Sequence, residues 1–226
     1  MYRSEAIFWY AFYQKSSGVF PIMQTIVPAR LFIPFVLAIA ILFTGGSPMS
    51  LAKDDLLLFD FDSPAKAEEW YTINDTVMGG VSNSRLEIEE DGTGVFCGRV
   101  SLENNGGFAS VRKRERESAV YDLSKYDGVV LRIMGDGKAY KFTFKTAPQF
   151  DSVVYQHRFE TKKNEWNVVH ISFKDFIPTY HGRVVKNAPH LDPHKIKTFG
   201  FLISEKQEGS FRLEIDWIKA YKVLED

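Results

Sequence analysis

The 226 residues are 45% apolar and 15% aromatic, with 28 Lys and Arg against 29 Asp and Glu. Such a chain can bury a core and lacks the basic excess that phosphate contacts require, which argues against disorder and against nucleic-acid binding. One cysteine, Cys97, and five scattered histidines leave no internal disulfide and no thiolate-rich zinc or iron–sulfur site.

The first fifty residues are unlike the rest. Leu31–Phe43 reads LFIPFVLAIAILF without a charge, preceded by Arg30 and followed by TGGSPMSLA. This is the layout of a secretory signal peptide, because the run fits an h-region of roughly 7–15 residues and falls short of the ~20 that span a bilayer. Ser50 and Ala52 occupy the small-x-small cleavage positions, so residues 1–52 are expected to be a leader and 53–226 the folded domain. An uncleaved membrane anchor is the alternative; either way the domain is expected to be exported or membrane-tethered. Met23 offers a second start that gives a compact charged n-region. Removing residues 1–52 takes away Arg3, Lys15, Arg30 and Glu5, leaving 25 basic and 28 acidic residues and a mildly acidic remainder.

From Leu56 onward, short alternating segments follow one another between Gly, Asn, Asp and Pro: LLLFDFD (Leu56–Asp62), RLEIEE (Arg85–Glu90), GVFCGRVSL (Gly94–Leu102), VVLRIMG (Val129–Gly135), YKFTFKT (Tyr140–Thr146), VVYQHRFE (Val153–Glu160), WNVVHISF (Trp166–Phe173), FGFLIS (Phe199–Ser204) and FRLEIDWIKAY (Phe211–Tyr221). In YKFTFKT, Tyr140, Phe142 and Phe144 share one face while Lys141, Thr143 and Lys145 share the other, the period of two expected of a half-buried strand. Phe211, Leu213, Ile215 and Trp217 repeat the pattern near the C-terminal end. About ten antiparallel strands and no long helical period predict an all-β sandwich or barrel in one domain. Short helical turns are expected at Pro64–Glu69 and Pro193–Lys195, capped by Ser63 and Asp192. Cys97 falls within a strand, where a buried thiol is expected.

Two polar clusters are candidates for function. Asn74–Ser82 packs Asn74, Asp75, Met78, Gly79, Gly80 and Ser82 into nine positions, a composition that either cradles a ligand with backbone N–H groups or satisfies its own backbone in a tight loop. Met78 in such a turn either plugs the end of the sandwich or offers an adaptable contact to a partner. Glu103–Arg112 reads as a hairpin turned by Asn104, Asn105, Gly106 and Gly107, after which Phe108, Ser110 and Arg112 share a strand face. That face either binds a ligand, with Arg112 gripping a carboxylate, or has Phe108 in the core and Arg112 paired at the sheet edge. Phe176–Val185 (FIPTYHGRVV) is expected to be a long loop exposing Tyr180, with Arg183 at its exit.

Taken together, NDTVMGGVSNSRLE (Asn74–Glu87), GRVSLENNGGFASVR (Gly98–Arg112), DLSKYDGVVLRIMGDGKAYKF (Asp122–Phe142), FIPTYHGRVV and LDPHKIKTFGFLISEKQEGSFRLEIDWI (Leu191–Ile218) resemble the complex I intermediate-associated protein 30 family, over nearly the whole domain. The resemblance implies a jelly-roll sandwich similar to galactose-binding-like domains and carbohydrate-binding modules. It implies a non-catalytic assembly factor that holds protein subunits or intermediates of a membrane respiratory complex, or of a photosynthetic one in plant and cyanobacterial relatives. The apolar leader departs from the Arg-rich, amphipathic transit peptide that a mitochondrial member should carry.

Catalysis has little to rest on. Glu103, Asp151, Glu160 and Glu205 are available for a glycosidase pair but no spacing selects two of them, and no G-x-S-x-G elbow is present. His190 and His194 have metal-pair spacing, yet Pro193 between them opposes the helix that would align them. No cofactor is expected; a structural calcium held by residues remote in sequence stays open. Trp70, Tyr71, Tyr155, Trp166, Tyr180 and Trp217 supply rings for an alternative reading as an extracytoplasmic carbohydrate-binding module, with Trp166 and Trp217 expected in the core.

Overall fold

The period-two alternation that begins near Leu56 becomes two antiparallel sheets in the computed structural model, which describes residues 55–115 and 120–223. The segment Leu31–Phe43, the expected cleavage point after Ala52 and the start at Met23 lie outside the described residues. Among residues 55–115 and 120–223, no helix is long and apolar enough to cross a membrane.

The strands are β1 (Leu56–Asp60), β2 (Trp70–Thr72), β3 (Asn83–Ile88), β4 (Gly94–Val100), β5 (Ala109–Lys113), β6 (Gly128–Met134), β7 (Ala139–Lys145), β8 (Val154–Glu160), β9 (Trp166–Ser172), β10 (Ile177–Tyr180), β11 (Arg183–Val184), β12 (Thr198–Ile203) and β13 (Gly209–Tyr221). A six-stranded sheet runs β3-β4-β13-β6-β9 with β1 also paired to β13, and a seven-stranded sheet runs β11-β10-β8-β7-β12-β5-β2. The expectation of about ten strands falls short because β2, β10 and β11 are two to four residues long, too short to display a period of two. The FIPTYHGRVV segment is correspondingly a hairpin and not a long loop. Its turn is His181-Gly182, both at positive φ (48° and 75°), the geometry of a two-residue hairpin turn.

The core lies between the sheets. Phe142 and Phe144 of β7 meet Phe199 of β12, while Tyr140 reaches Phe211 of β13 and Phe59 of β1 meets Trp70 of β2 across the sandwich, the last two with ring centroids 6.4 and 5.3 Å apart. Each fully buried Phe contributes roughly 1.5–3 kcal/mol of transfer free energy, so this aromatic layer is the main source of cohesion. Cys97 is buried, and burial pushes its thiol pKa up. Short 3-10 turns stand at Pro64–Glu69 and Pro193–Lys195; the Asp192 carboxylate accepts from the His194 N–H at 3.1 Å, whereas Ser63 caps with its carbonyl and not with its hydroxyl.

Two tryptophans depart from expectation. A bulge between Ile215 and Trp217 advances the register of β13, so that Ile218 and Ala220 enter the core and Trp217 turns out of it. Trp217 is half-buried under the Lys219 ammonium, 4.3 Å from its ring, and Trp166 under the Arg132 guanidinium at 4.5 Å.

Candidate functional site

The two polar clusters meet at one end of the sandwich. Asn74–Ser82 joins β2 of the seven-stranded sheet to β3 of the six-stranded sheet, and residues 101–108 cross back from β4 to β5. The second segment is therefore not the hairpin that Asn-Asn-Gly-Gly suggests, because β4 and β5 belong to different sheets. Asn104 and Asn105 do take the positive φ such a turn needs (54° and 61°), within a 3-10 turn at Glu103–Asn105.

Asp75 ties the two crossings together. Its side chain is fully buried; Oδ1 accepts from the Ser82 N–H at 2.9 Å, and Oδ2 accepts from the Ser82 hydroxyl, from the Gly107 N–H at 2.7 Å and from the Phe108 N–H at 3.3 Å. The Asp75 N–H in turn donates to the Phe108 carbonyl at 3.3 Å. Burial alone would push the Asp75 pKa up, but the donors from Ser82, Gly107 and Phe108 together outweigh it and hold the carboxyl below its usual value. Ser82 also accepts from the Ser101 N–H at 2.9 Å. Beside this cluster, Asn74 Oδ1 accepts from the Ser84 hydroxyl at 2.7 Å and the Ser110 N–H at 3.3 Å, and the Ser110 hydroxyl donates to the Ile73 carbonyl. Asn104 Nδ2 reaches the Gly79 carbonyl at 3.2 Å. The polar residues of the two motifs thus spend their hydrogen bonds on each other's loops across the corner of the sandwich.

Among the residues this scaffold presents outward, beside Thr76, Glu103, Asn104 and Asn105, are four apolar side chains. Val77 and Met78 are each 60% exposed, Val81 46% and Leu102 37%, all on the two tied loops. Met78, a candidate contact from the sequence, is thus exposed, and Val77, Val81 and Leu102 join it, the signal for them in the sequence being apolar character amid Gly and Asn. Asn105 is exposed and Phe108 half-buried.

The remaining candidates lie elsewhere. The register of β5, β12, β7, β8 and β10 carries Tyr180 and Arg183 to the opposite end of the seven-stranded sheet from Gly107. There the Tyr180 hydroxyl donates to Asp151 at 2.8 Å and His181 Nε2 lies 2.6 Å from the same carboxylate, contacts that lower the Asp151 pKa. Arg112 alternates with the buried Ala109, Val111 and Lys113 on β5, so it and Ser110 share the outward face as the sequence predicts. Glu160 and Glu205 both bind Arg158. Among the described residues, no group of three or more His, Cys, Asp or Glu is placed to hold a metal ion.

Residues 59–215 match the model of the family described as complex I intermediate-associated protein 30. The chain belongs to this family. It is 29% identical over 181 residues to the mitochondrial complex I intermediate-associated protein 30 of Drosophila melanogaster, covering 72% of this chain and 61% of the fly protein, so it spans about three fifths of that relative. An uncharacterised Schizosaccharomyces pombe protein is 30% identical over 184 residues, covering 73% of this chain and 83% of its own length. Among solved structures, the family 11 carbohydrate-binding module of the Clostridium thermocellum cellulase Lic26A-Cel5E superposes with a TM-score of 0.59 at 15% identity, covering 76% of this chain and 96% of the module. That likeness shows that this member of the complex I intermediate-associated protein 30 family shares the module's sandwich fold. Its Asn74–Ser82 and Glu103–Arg112 clusters both fall inside the matched region.

Proposed function

We propose that the protein is a non-catalytic binding module that holds protein subunits or assembly intermediates of a membrane electron-transfer complex, respiratory or photosynthetic. The observation that carries this reading is the exposed apolar set Val77, Met78, Val81 and Leu102, mounted on two loops that a buried carboxylate locks together. Exposed apolar side chains on a rigid support lose little conformational entropy on docking, and Met adapts to an irregular partner surface. The name of the family supports a complex I intermediate as the partner. On the same reading the domain acts exported or membrane-tethered, which the apolar character of Leu31–Phe43 supports. The alternative, binding of extracytoplasmic glycans, is supported by fold likeness alone.

The test combines gene deletion with capture on the purified domain. Deletion should lower the amount of assembled complex, and the domain should recover its subunits while a Val77→Asp/Met78→Asp double variant does not. Normal complex levels with no subunit recovered would sink the assembly reading. Retention on immobilised polysaccharide with no subunit recovered would favour the glycan reading instead.

A further inference from the structure

At the other end of the seven-stranded sheet the molecule encloses a cation. Lys145 ends β7 on the face that the alternation of YKFTFKT assigns to solvent, yet it is only 2% exposed. Its Nζ donates to the main-chain carbonyls of Gln149 (2.5 Å) and Phe150 (3.2 Å), so the loop after β7 folds back over it. An ammonium has three N–H donors, and the third has no partner among the described residues; no carboxylate there lies within ion-pair distance. Lys113 provides the contrast: equally buried, it is satisfied by Glu69 at 2.6 Å.

A cavity of about 320 Å³ opens beside Lys145, lined by Tyr71, Arg114, Glu115, Lys145, Pro148 and Phe150. The Arg114 guanidinium stands 5.4 Å over the Tyr71 ring, and Phe150 is 64% exposed. Burying an unpaired ammonium is costly unless an opposite charge joins it. Burial and then the nearby Arg112 pull the Lys145 pKa down to about 8, against which Glu115 and Asp151 act, so at neutral pH the group is still mostly charged. The cavity therefore combines a cationic floor with Tyr71, Pro148 and Phe150 as apolar walls. Glu115 on the wall opposes a doubly charged anion more than a singly charged one.

We propose that this cavity binds a carboxylate carried on an aromatic or apolar body, with Lys145 as its ion-pair partner and Tyr71 and Phe150 packing against the body. The site is independent of the apolar loops at the Asp75 end, and its occupancy does not bear on the assembly reading. A small aromatic acid and the C-terminus of a polypeptide share this chemistry. Lysine-resolved NMR of the folded domain at pH 7 separates them, using benzoate, a pentapeptide ending in Phe with a free carboxylate, and the same pentapeptide amidated.

Saturable shifts of the Lys145 and Tyr71 signals are expected with the acids and not with the amide. Tighter binding of the peptide acid than of benzoate assigns a polypeptide source, and the reverse a small acid. Lys145→Met should weaken binding at least about tenfold with unchanged circular dichroism, and affinity of the unaltered domain should fall about tenfold from pH 7 to 9.5 as Lys145 loses its proton. Arg112, Glu115 and Asp151 act on Lys145, and Tyr71 and Arg114 line the same cavity, so the pH arm is repeated on Lys145→Met, whose affinity should not follow the pH if the dependence belongs to Lys145. Equal shifts with the amide, no saturation below about 10 mM acid, preference for inorganic phosphate, or pH-independent affinity would each overturn the assignment.

Discussion

Gly80 lies so close to Asp75 that a Cβ built on the glycine would stand 2.4 Å from the carboxyl carbon. Gly106 approaches from the other crossing, where a Cβ would come within 2.6 Å of Asp75 Oδ2. The two glycines leave the space into which the carboxylate fits, and the four donors around it are the reason it stays charged there. Gly80→Ala should destabilise the domain by about 1–3 kcal/mol through overpacking, and Asp75→Asn by about 3 kcal/mol because an amide points two donors at N–H groups that need acceptors. Urea denaturation of the two variants against the parent checks both.

Asp75 also predicts a response to acid. Its folded pKa lies below its unfolded value near 3.8, so its contribution is complete above about pH 4 and is lost as pH falls through the folded value. Stability should therefore decline below pH 4 more steeply in the parent than in Asp75→Asn. Parallel slopes in thermal melts between pH 5 and pH 2 would contradict the account of this carboxylate.

Lys145 predicts the opposite flank of the pH curve. Its folded pKa of about 8 is below the usual 10.5, so between those values the unfolded chain holds a proton that the folded chain has released. Unliganded domain should gain stability as pH rises from 8 to 10.5, and the gain should vanish in Lys145→Met. At pH 7 that variant is expected within about 1 kcal/mol of the parent, since it loses two carbonyl contacts and a buried charge together. Chemical denaturation at pH 7, 8 and 10 tests this.

The bulge in β13 separates two neighbouring side chains. Ile218→Ala should cost about 2–4 kcal/mol because Ile218 is fully buried, whereas Trp217→Ala, which strips a half-buried ring from beneath Lys219, should cost about 1 kcal/mol. A larger loss at Trp217 than at Ile218 would show that the unbulged alternation of FRLEIDWI describes the strand better.

Met78→Asp should leave the midpoint of unfolding unchanged within experimental error, because the side chain is 60% exposed, while reducing capture of the partner complex. Loss of stability would instead make Met78 a plug of the sandwich end.

The sandwich was legible because strands such as Tyr140–Lys145 alternate apolar and polar residues, and alternation is a local property. What was not local was not legible. Nothing near Asn104 reveals that β4 and β5 lie in different sheets, since Asn-Asn-Gly-Gly serves a hairpin and a crossing equally well. The partners of Asp75 at Gly107 and Phe108 are more than thirty positions away, so its composition reads as a ligand cradle or a self-satisfied turn when it is a tie between loops. Lys145 obeys the alternation that assigns it to solvent and is buried only because a following loop returns over it, a fold-back without a sequence period.

Strand β13 has a consequence for truncation and for synthesis. It bonds to β4 along its first half and β1 along its second, with β6 on its other side, and Leu56 of β1 stands opposite Ala220. Without it the six-stranded sheet falls into three unconnected pieces, β3–β4, β6–β9 and β1. A ribosome adding about 5–20 residues per second must therefore release nearly the whole domain before that sheet can close, and β1, made before the other described strands, waits longest for β13, the strand it pairs with. A stop codon anywhere upstream of Gly209 should abolish the sandwich outright and leave a nascent chain with open strand edges for chaperones to shield.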